Sequence, residues 1–138
     1  MIQFYLLSIV LNAMTGLLLV FSSQKTEDVQ ETVAAGLSFF ETKNFRLILG
    51  ILTVFAGLMK LLSVIDGDIP VIGDILPALA GITGGTCLLY EYFIASSSVE
   101  VSLNPVFESI FVKGRKYLGI ACITVAVFHF IIPQVLFL

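Results

Sequence analysis

Four long apolar segments, separated by more polar connections, most constrain the fold of this chain. They cover residues 4–21, 45–65, 71–94 and 117–138. A helix that crosses the hydrocarbon core of a bilayer needs about 20 mostly apolar residues, and these segments match that length. The segments therefore predict four transmembrane helices, with buried helices of a soluble protein as the alternative interpretation.

The composition favours the membrane interpretation. Hydrophobic residues make up 58% of the 138 residues and charged residues 12%, whereas a soluble domain has about 45–50% and about 25%. So short a chain cannot bury that many apolar side chains in one globular core. The net charge is -3, and no basic face exists, so we expect the lipid bilayer and not a nucleic acid as partner.

The distribution of Lys and Arg predicts the orientation of the helices. Outside Lys60, these residues lie in or beside the two long connections, 22–44 and 95–116. Because Lys and Arg stay on the cytoplasmic side, we expect both connections to be cytoplasmic and both termini to lie outside, in a membrane of the bacterial inner-membrane type. Both connections are interpreted as interfacial segments on the membrane surface, or as segments packed on the bundle.

The second and fourth segments have similar sequences at an offset of 69 residues. Arg46 aligns with Arg115 and Lys60 with His129. The first and third segments align at an offset of 68, with Thr and Gly matches. This pattern predicts an internal duplication, and chance similarity among apolar helices is the alternative.

The predicted fold is all-α, a polytopic membrane protein with four transmembrane helices. A repeat unit with an even number of spans inserts in the same direction each time, so the two helical hairpins are parallel repeats. The single transmembrane domain covers residues 1–138, the first repeat 1–69 and the second repeat 70–138.

Small residues within the apolar segments predict close contacts between helices, since lipid supplies no hydrophobic drive for helix association. A homodimer face is the alternative to packing inside one chain. The candidate packing residues are Gly50, Gly57, Ala80, Gly81, Gly84 and Gly85.

Three ionisable residues within the segments form the candidate site, because such groups are costly in a membrane. Counted along the helices, Lys60 and His129 reach a similar depth, and Asp74 starts the third segment on the same side. The cluster is predicted to bind an anionic head group, relay protons or neutralise itself. The structural alternatives are a snorkelling or salt-bridged Lys60, a helix-start role for Asp74 and a hydrogen-bonded structural His129.

The other reactive residues have simpler interpretations. Glu91 is expected at the cytoplasmic interface between two tyrosines. Cys87 and Cys122 are expected to be small packing residues, with a redox pair as the alternative. No metal-ligand set, cofactor motif or catalytic motif is present in the sequence, so we expect neither a metal site nor enzyme activity.

The run RLILG from Arg46 and the run GLMKL that ends at Leu61 are similar to a helix of the DoxX-like small four-helix membrane proteins. The following run, GDILPALAGITGGTCLL from Gly73, resembles their glycine-rich second helix. Some members of that family are accessory subunits of quinone-linked oxidoreductases. The resemblance therefore implies a membrane accessory role, with Lys60 as the position of interest.

Three functions follow as hypotheses. The first is a non-catalytic helical bundle that serves as a subunit or scaffold of a membrane assembly. The second is a protomer of a homo-oligomeric transporter or channel for a small solute or ion. The third, implied by the DoxX-like resemblance, is a quinone-linked redox accessory subunit.

Overall fold

The computed structural model describes residues 2–21, 42–62, 75–97 and 105–131. Every described element is helical, which confirms the predicted all-α class. Most of the first long connection, residues 63–74, which include Asp74, residues 98–104 and residues 132–138 lie outside the described residues.

Three of the helices are long and apolar enough to cross a membrane, namely α1, α2 and α3. The fourth predicted segment is represented by α5, whose described part has 17 residues. The helices are α1 (Ile2–Phe21), α2 (Lys43–Leu62), α3 (Ile75–Ser96), α4 (Pro105–Phe107) and α5 (Arg115–Ile131), with a π-helical segment (Glu108–Lys113) between the last two.

The side chains are distributed in the opposite way to those of a soluble protein. Large apolar side chains such as Leu17, Phe55 and Phe128 are about half exposed on the outside of the bundle. An apolar exterior of this extent is consistent with integration in a membrane, where lipid covers it. Among the described residues, the buried polar and charged side chains are Ser8, Asn12, Thr15, Thr53, Lys60 and His129.

Two pairs of glycines bring the helices together. In the α1–α5 contact, a Cβ added to Gly16 would lie 2.6 Å from the carbonyl oxygen of Gly119. In the α2–α3 contact, a Cβ added to Gly85 would lie 2.8 Å from the carbonyl oxygen of Gly50. Only a residue without a side chain permits backbones to approach this closely, which is how small residues drive helix association in lipid.

The remaining candidate packing residues also lie between helices. The carbonyl oxygen of Ala78 is the nearest atom to an added Cβ at Gly57, and the side chain of Asn12 is the nearest at Gly81. Gly84 makes room for the thiol of Cys122, which donates a hydrogen bond to the carbonyl oxygen of Ala80. The five predicted glycines therefore lie against a neighbouring helix of the same chain, and Ala80 contacts one through its carbonyl oxygen.

The described segment before α5, residues 105–114, packs on the bundle through the side chain of Phe111. Phe111 packs against the buried core, and its ring contacts those of Tyr90 and Phe107. Val106 and Ile110 stay exposed. In the described part of the second connection, Phe111 is thus anchored on the bundle, and Val106 and Ile110 belong to an outer apolar face.

Candidate functional site

Lys60 and His129 meet inside the bundle. Lys60 Nζ lies 3.0 Å from His129 Nε2, and the two residues are 3% and 1% exposed. Both belong to the C-terminal turns of their helices, α2 and α5, so the contact lies at one end of the bundle. Asp74, the third member of the predicted cluster, lies outside the described residues, and its part in the cluster stays a prediction.

Tyr5, from the N-terminal turn region of α1, completes the described site. Its hydroxyl donates a hydrogen bond of 2.6 Å to the backbone carbonyl oxygen of His129. The phenol and imidazole rings lie 4.7 Å apart between centroids. Lys60 Nζ lies 5.3 Å from the centroid of the Tyr5 ring, a separation at which a cation is attracted to the ring face.

Lys60 Nζ and His129 Nε2 share one proton in a hydrogen bond. Either the Lys60 ammonium donates to a neutral Nε2, or a protonated Nε2 donates to a neutral amine. Two cationic groups at 3.0 Å would repel each other strongly in a medium of low dielectric constant.

A second layer of buried polar contacts joins α1 to α2 and α3. Asn12 Nδ2 donates to the carbonyl oxygen of Pro77, at 3.0 Å. The hydroxyls of Thr15 and Thr53 lie 2.9 Å apart. Because Thr53 donates its own proton to the carbonyl oxygen of Leu49 at 2.7 Å, Thr15 is the donor of the Thr–Thr bond.

The opposite end of the bundle contains an ionic cluster, which we call the Arg–Glu–Arg triad: Arg46, Glu91 and Arg115. One carboxylate oxygen of Glu91 lies 3.2 Å from Arg46 Nη1, and the other lies 2.8 Å from Arg115 Nη2. Their side chains are between 14% and 22% exposed. The triad therefore ties α2, α3 and α5 together at the end where α2 and α5 begin.

Sequence reasoning did not predict Tyr5 or the triad as a unit. The sequence pattern uses Arg46 and Arg115 for the orientation and for the alignment of the repeat, and it predicts only an interfacial position for Glu91. The available signal was depth: the two arginines align in the repeat, and Glu91 is the acidic residue near the same end of α3. Tyr5 gives no comparable signal, because a tyrosine near a membrane interface is common.

The two cysteines are buried and occupy separate contacts. The thiol of Cys87 donates to the carbonyl oxygen of Phe111, and that of Cys122 donates to the carbonyl oxygen of Ala80. Within the described ranges, no group of three or more His, Cys, Asp or Glu side chains could hold a metal ion. The alternative of a redox pair stays a prediction.

Comparison with known proteins establishes the family of this chain. A protein-family model matches residues 1–129. A curated protein of Treponema pallidum (strain Nichols) is 32% identical over 138 residues, which are 100% of both chains. The chain belongs to this family. The Treponema relative is described as an "Uncharacterized protein", and no solved structure matches the chain.

Proposed function

We propose that this family member is an integral membrane protein that serves as a non-catalytic subunit or scaffold of a membrane assembly. The observation that carries the proposal is the closed, polar interior. Asn12, Thr15 and Thr53 bond to neighbouring helices and are almost fully buried, so they line no open path through the described bundle. Apolar side chains cover its outside, and that surface is the one available to lipid and to other membrane subunits.

The proposal includes four spans built as two parallel hairpin repeats. Two helix contacts support it, because each residue of one contact lies 69 positions from its counterpart in the other. In these contacts the first segment is related to the third by an offset of 69 residues, whereas their sequence alignment gives an offset of 68. The first contact joins Gly16 to Gly119 and Ile123, and the second joins Gly85 to Gly50 and Val54.

A second, weaker similarity supports the same duplication. Thr15 bonds to Thr53, and the equivalent pair under the same shift is Gly84 and Cys122, which also touch. The charged residues at the two ends of the bundle are also related by the shift of 69 positions. Arg46 and Arg115 both contact Glu91, whereas Lys60 and His129 bond each other. The two halves are therefore proposed to be related by an axis along the membrane normal.

The proposed orientation places the triad at the cytoplasmic side and the Lys60–His129 contact toward the outside. The clustering of Lys and Arg around the starts of α2 and α5 supports it through the positive-inside rule. Reporter fusions after Phe21 and Leu62 test it. A cytoplasmic reporter after Phe21 and an external one after Leu62 are expected, and the reverse pattern contradicts the proposed orientation.

The second candidate is a protomer of an oligomeric transporter. It is favoured by the Lys60–His129 pair, since buried ionisable groups in membrane segments often mark proton or ion pathways. Flux of a small solute or of protons in liposomes tests this candidate. Lys60→Met and His129→Gln should reduce any such flux, and the exposed Lys113→Gln should not.

Native mass spectrometry of gently solubilised protein distinguishes the candidates. A stoichiometric complex with other chains supports the subunit proposal. A closed homo-oligomer supports the transporter candidate. Bound quinone would support the accessory role implied by the DoxX-like resemblance, which is likewise a proposal. A monomer without partners under conditions that preserve known membrane complexes contradicts both assembly candidates.

A further inference from the structure

The segment 105–113, which precedes α5, has an apolar side that is partly exposed. The rings of Phe107 and Phe111 stack with their centroids 5.8 Å apart, so both residues belong to this side. Ile110 also belongs to it, because residues three positions apart in a helix are neighbours on its surface. Phe111 packs against the buried core, whereas Phe107 and Ile110 are about half exposed.

The other side of the segment is polar. Glu108 and Lys113 lie 3.6 Å apart, and both side chains are well exposed. Ser109 is exposed as well. A short helix with one apolar and one charged side is typical of segments that lie in the plane of a membrane surface, with the apolar side in the boundary between head groups and acyl chains.

The backbone of the segment is suited to contact with lipid, where unsatisfied polar groups are costly. The first helical residue is Pro105, which has no N–H to satisfy. The carbonyl oxygen of Phe111 accepts a hydrogen bond from the thiol of Cys87 at 3.4 Å. That of Ser109 accepts one from the N–H of Gly114 at 3.0 Å. These backbone groups therefore need no bond to water.

The contact between Cys87 and Phe111 indicates the depth of the segment along the bundle. Cys87 is four positions before Glu91 in α3, so it lies about 6 Å deeper than the triad, from the rise of each residue in a helix. Beyond Glu91, towards the end of α3, Phe93 is still about half exposed. The apolar exterior of α3 thus extends past the level at which Phe111 makes its contact.

We propose that the segment 105–113 is an in-plane membrane anchor, with Phe107 and Ile110 in contact with phospholipid acyl chains in the leaflet on the side of the triad. The position favours phospholipid as the occupant, because the apolar side lies at a level where the exterior of α3 is itself apolar. Phe111 joins the anchor to α3, so the anchor holds the start of α5 at the membrane surface. The inference rests on the proposed membrane integration and does not depend on which assembly the protein joins.

Single-tryptophan variants of the full chain test the anchor. The chain contains no Trp, so the fluorescence of each variant reports one position. Each variant is reconstituted into phosphatidylcholine vesicles with and without lipid that is brominated in its acyl chains, since bromine quenches a tryptophan that touches these chains. Phe107→Trp and Ile110→Trp should lose most of their fluorescence in the brominated lipid, and acrylamide on both sides of the membrane should quench them little.

Ser109→Trp is the matched control within the segment, because Ser109 lies on the polar side. It should show the reverse pattern, with strong quenching by acrylamide and weak quenching by the brominated lipid. Phe55→Trp is the control for integration, because Phe55 is half exposed in the middle of α2, one of the candidate spans. It should be quenched by the brominated lipid.

The outcomes separate the anchor from membrane integration. A Phe55→Trp protein that brominated lipid does not quench contradicts the integration, and the anchor with it. If Phe55→Trp is quenched by the lipid and Phe107→Trp only by acrylamide, the integration stands and the anchor is wrong. Quenching of Phe107→Trp by neither reagent means that protein, such as a second copy of the chain, covers the apolar side, and this also overturns the proposal.

Discussion

Lys60 Nζ and His129 Nε2 form a hydrogen bond of 3.0 Å between residues that are 69 positions apart in the chain. The same two residues occupy equivalent positions in the aligned second and fourth segments. Each of their helices packs mainly on another one, α2 on α3 and α5 on α1. The bond therefore links two helix pairs. Tyr5 of α1 adds a hydrogen bond to the same site, from its hydroxyl to the carbonyl oxygen of His129.

The Lys60–His129 bond is expected to couple the two residues energetically. In a double-mutant cycle of Lys60→Met and His129→Leu, the interaction energy should be at least about 1 kcal/mol, as for buried side chains in direct contact. Reversible unfolding of the purified protein in detergent measures it. Lys113→Met combined with His129→Leu is the control, because Lys113 lies at the other end of the bundle. Additive effects in the first cycle would show that the contact contributes no stability.

The Gly50–Gly85 contact predicts unequal effects of the same substitution on its two sides. A Cβ at Gly85 would lie 2.8 Å from the carbonyl oxygen of Gly50 and 2.9 Å from the backbone nitrogen of Val54. A Cβ at Gly50 would first meet the side chain of Leu89, at 3.0 Å, which can move. We expect Gly85→Ala to destabilise the bundle by about 1–3 kcal/mol, as overpacking does, and Gly50→Ala to cost less.

The thermal midpoints of the two glycine variants, measured in the same detergent, provide the comparison. Gly16→Ala should resemble Gly85→Ala, because its added Cβ would lie 2.6 Å from the carbonyl oxygen of Gly119. A Gly85→Ala protein as stable as the wild type would mean that α2 and α3 pack less closely than described.

The Thr15–Thr53 bond is expected to stabilise the contact between α1 and α2. Thr15→Val removes the donor and keeps the shape, so it should cost about 0.6 kcal/mol, the average for hydrogen bonds between membrane helices, and at most about 1.7 kcal/mol. Thr86→Val is the matched control, because the exposed Thr86 hydroxyl bonds only to the carbonyl oxygen of Ile82 in its own helix. Equal effects of the two substitutions in an unfolding experiment would contradict an interhelical role.

The Arg–Glu–Arg triad is expected to depend on its central carboxylate. Glu91→Ala leaves two guanidinium groups facing each other in a mostly buried place, and removal of one partner from a buried ionic cluster costs about 3 kcal/mol. Glu108→Ala is the control: Glu108 lies 3.6 Å from the well-exposed Lys113, and surface pairs contribute little. Unfolding in detergent at two salt concentrations checks both the size of the effect and its resistance to screening.

The depth of a residue along its helix could be predicted from the sequence, but its contact partners could not. Aligning Lys60 with His129 places them at a similar depth, since each residue adds about 1.5 Å to the helix length. The same arithmetic relates Arg46 to Arg115. It does not say that the first pair bonds directly whereas the second pair shares Glu91. That difference depends on which side of each helix faces its neighbour. A segment that is apolar on all sides does not indicate which side this is.

The sequence by itself determined the all-helical class and the candidate membrane segments, because the length and apolarity of a segment decide whether a helix can cross lipid. It also indicated the small residues that lie between helices. Only the tertiary structure decided the partners: Tyr5 with His129, Thr15 with Thr53, and Glu91 between two arginines. The physical reason is that the rotation and crossing of each helix are set by how its side chains interlock with all of its neighbours together.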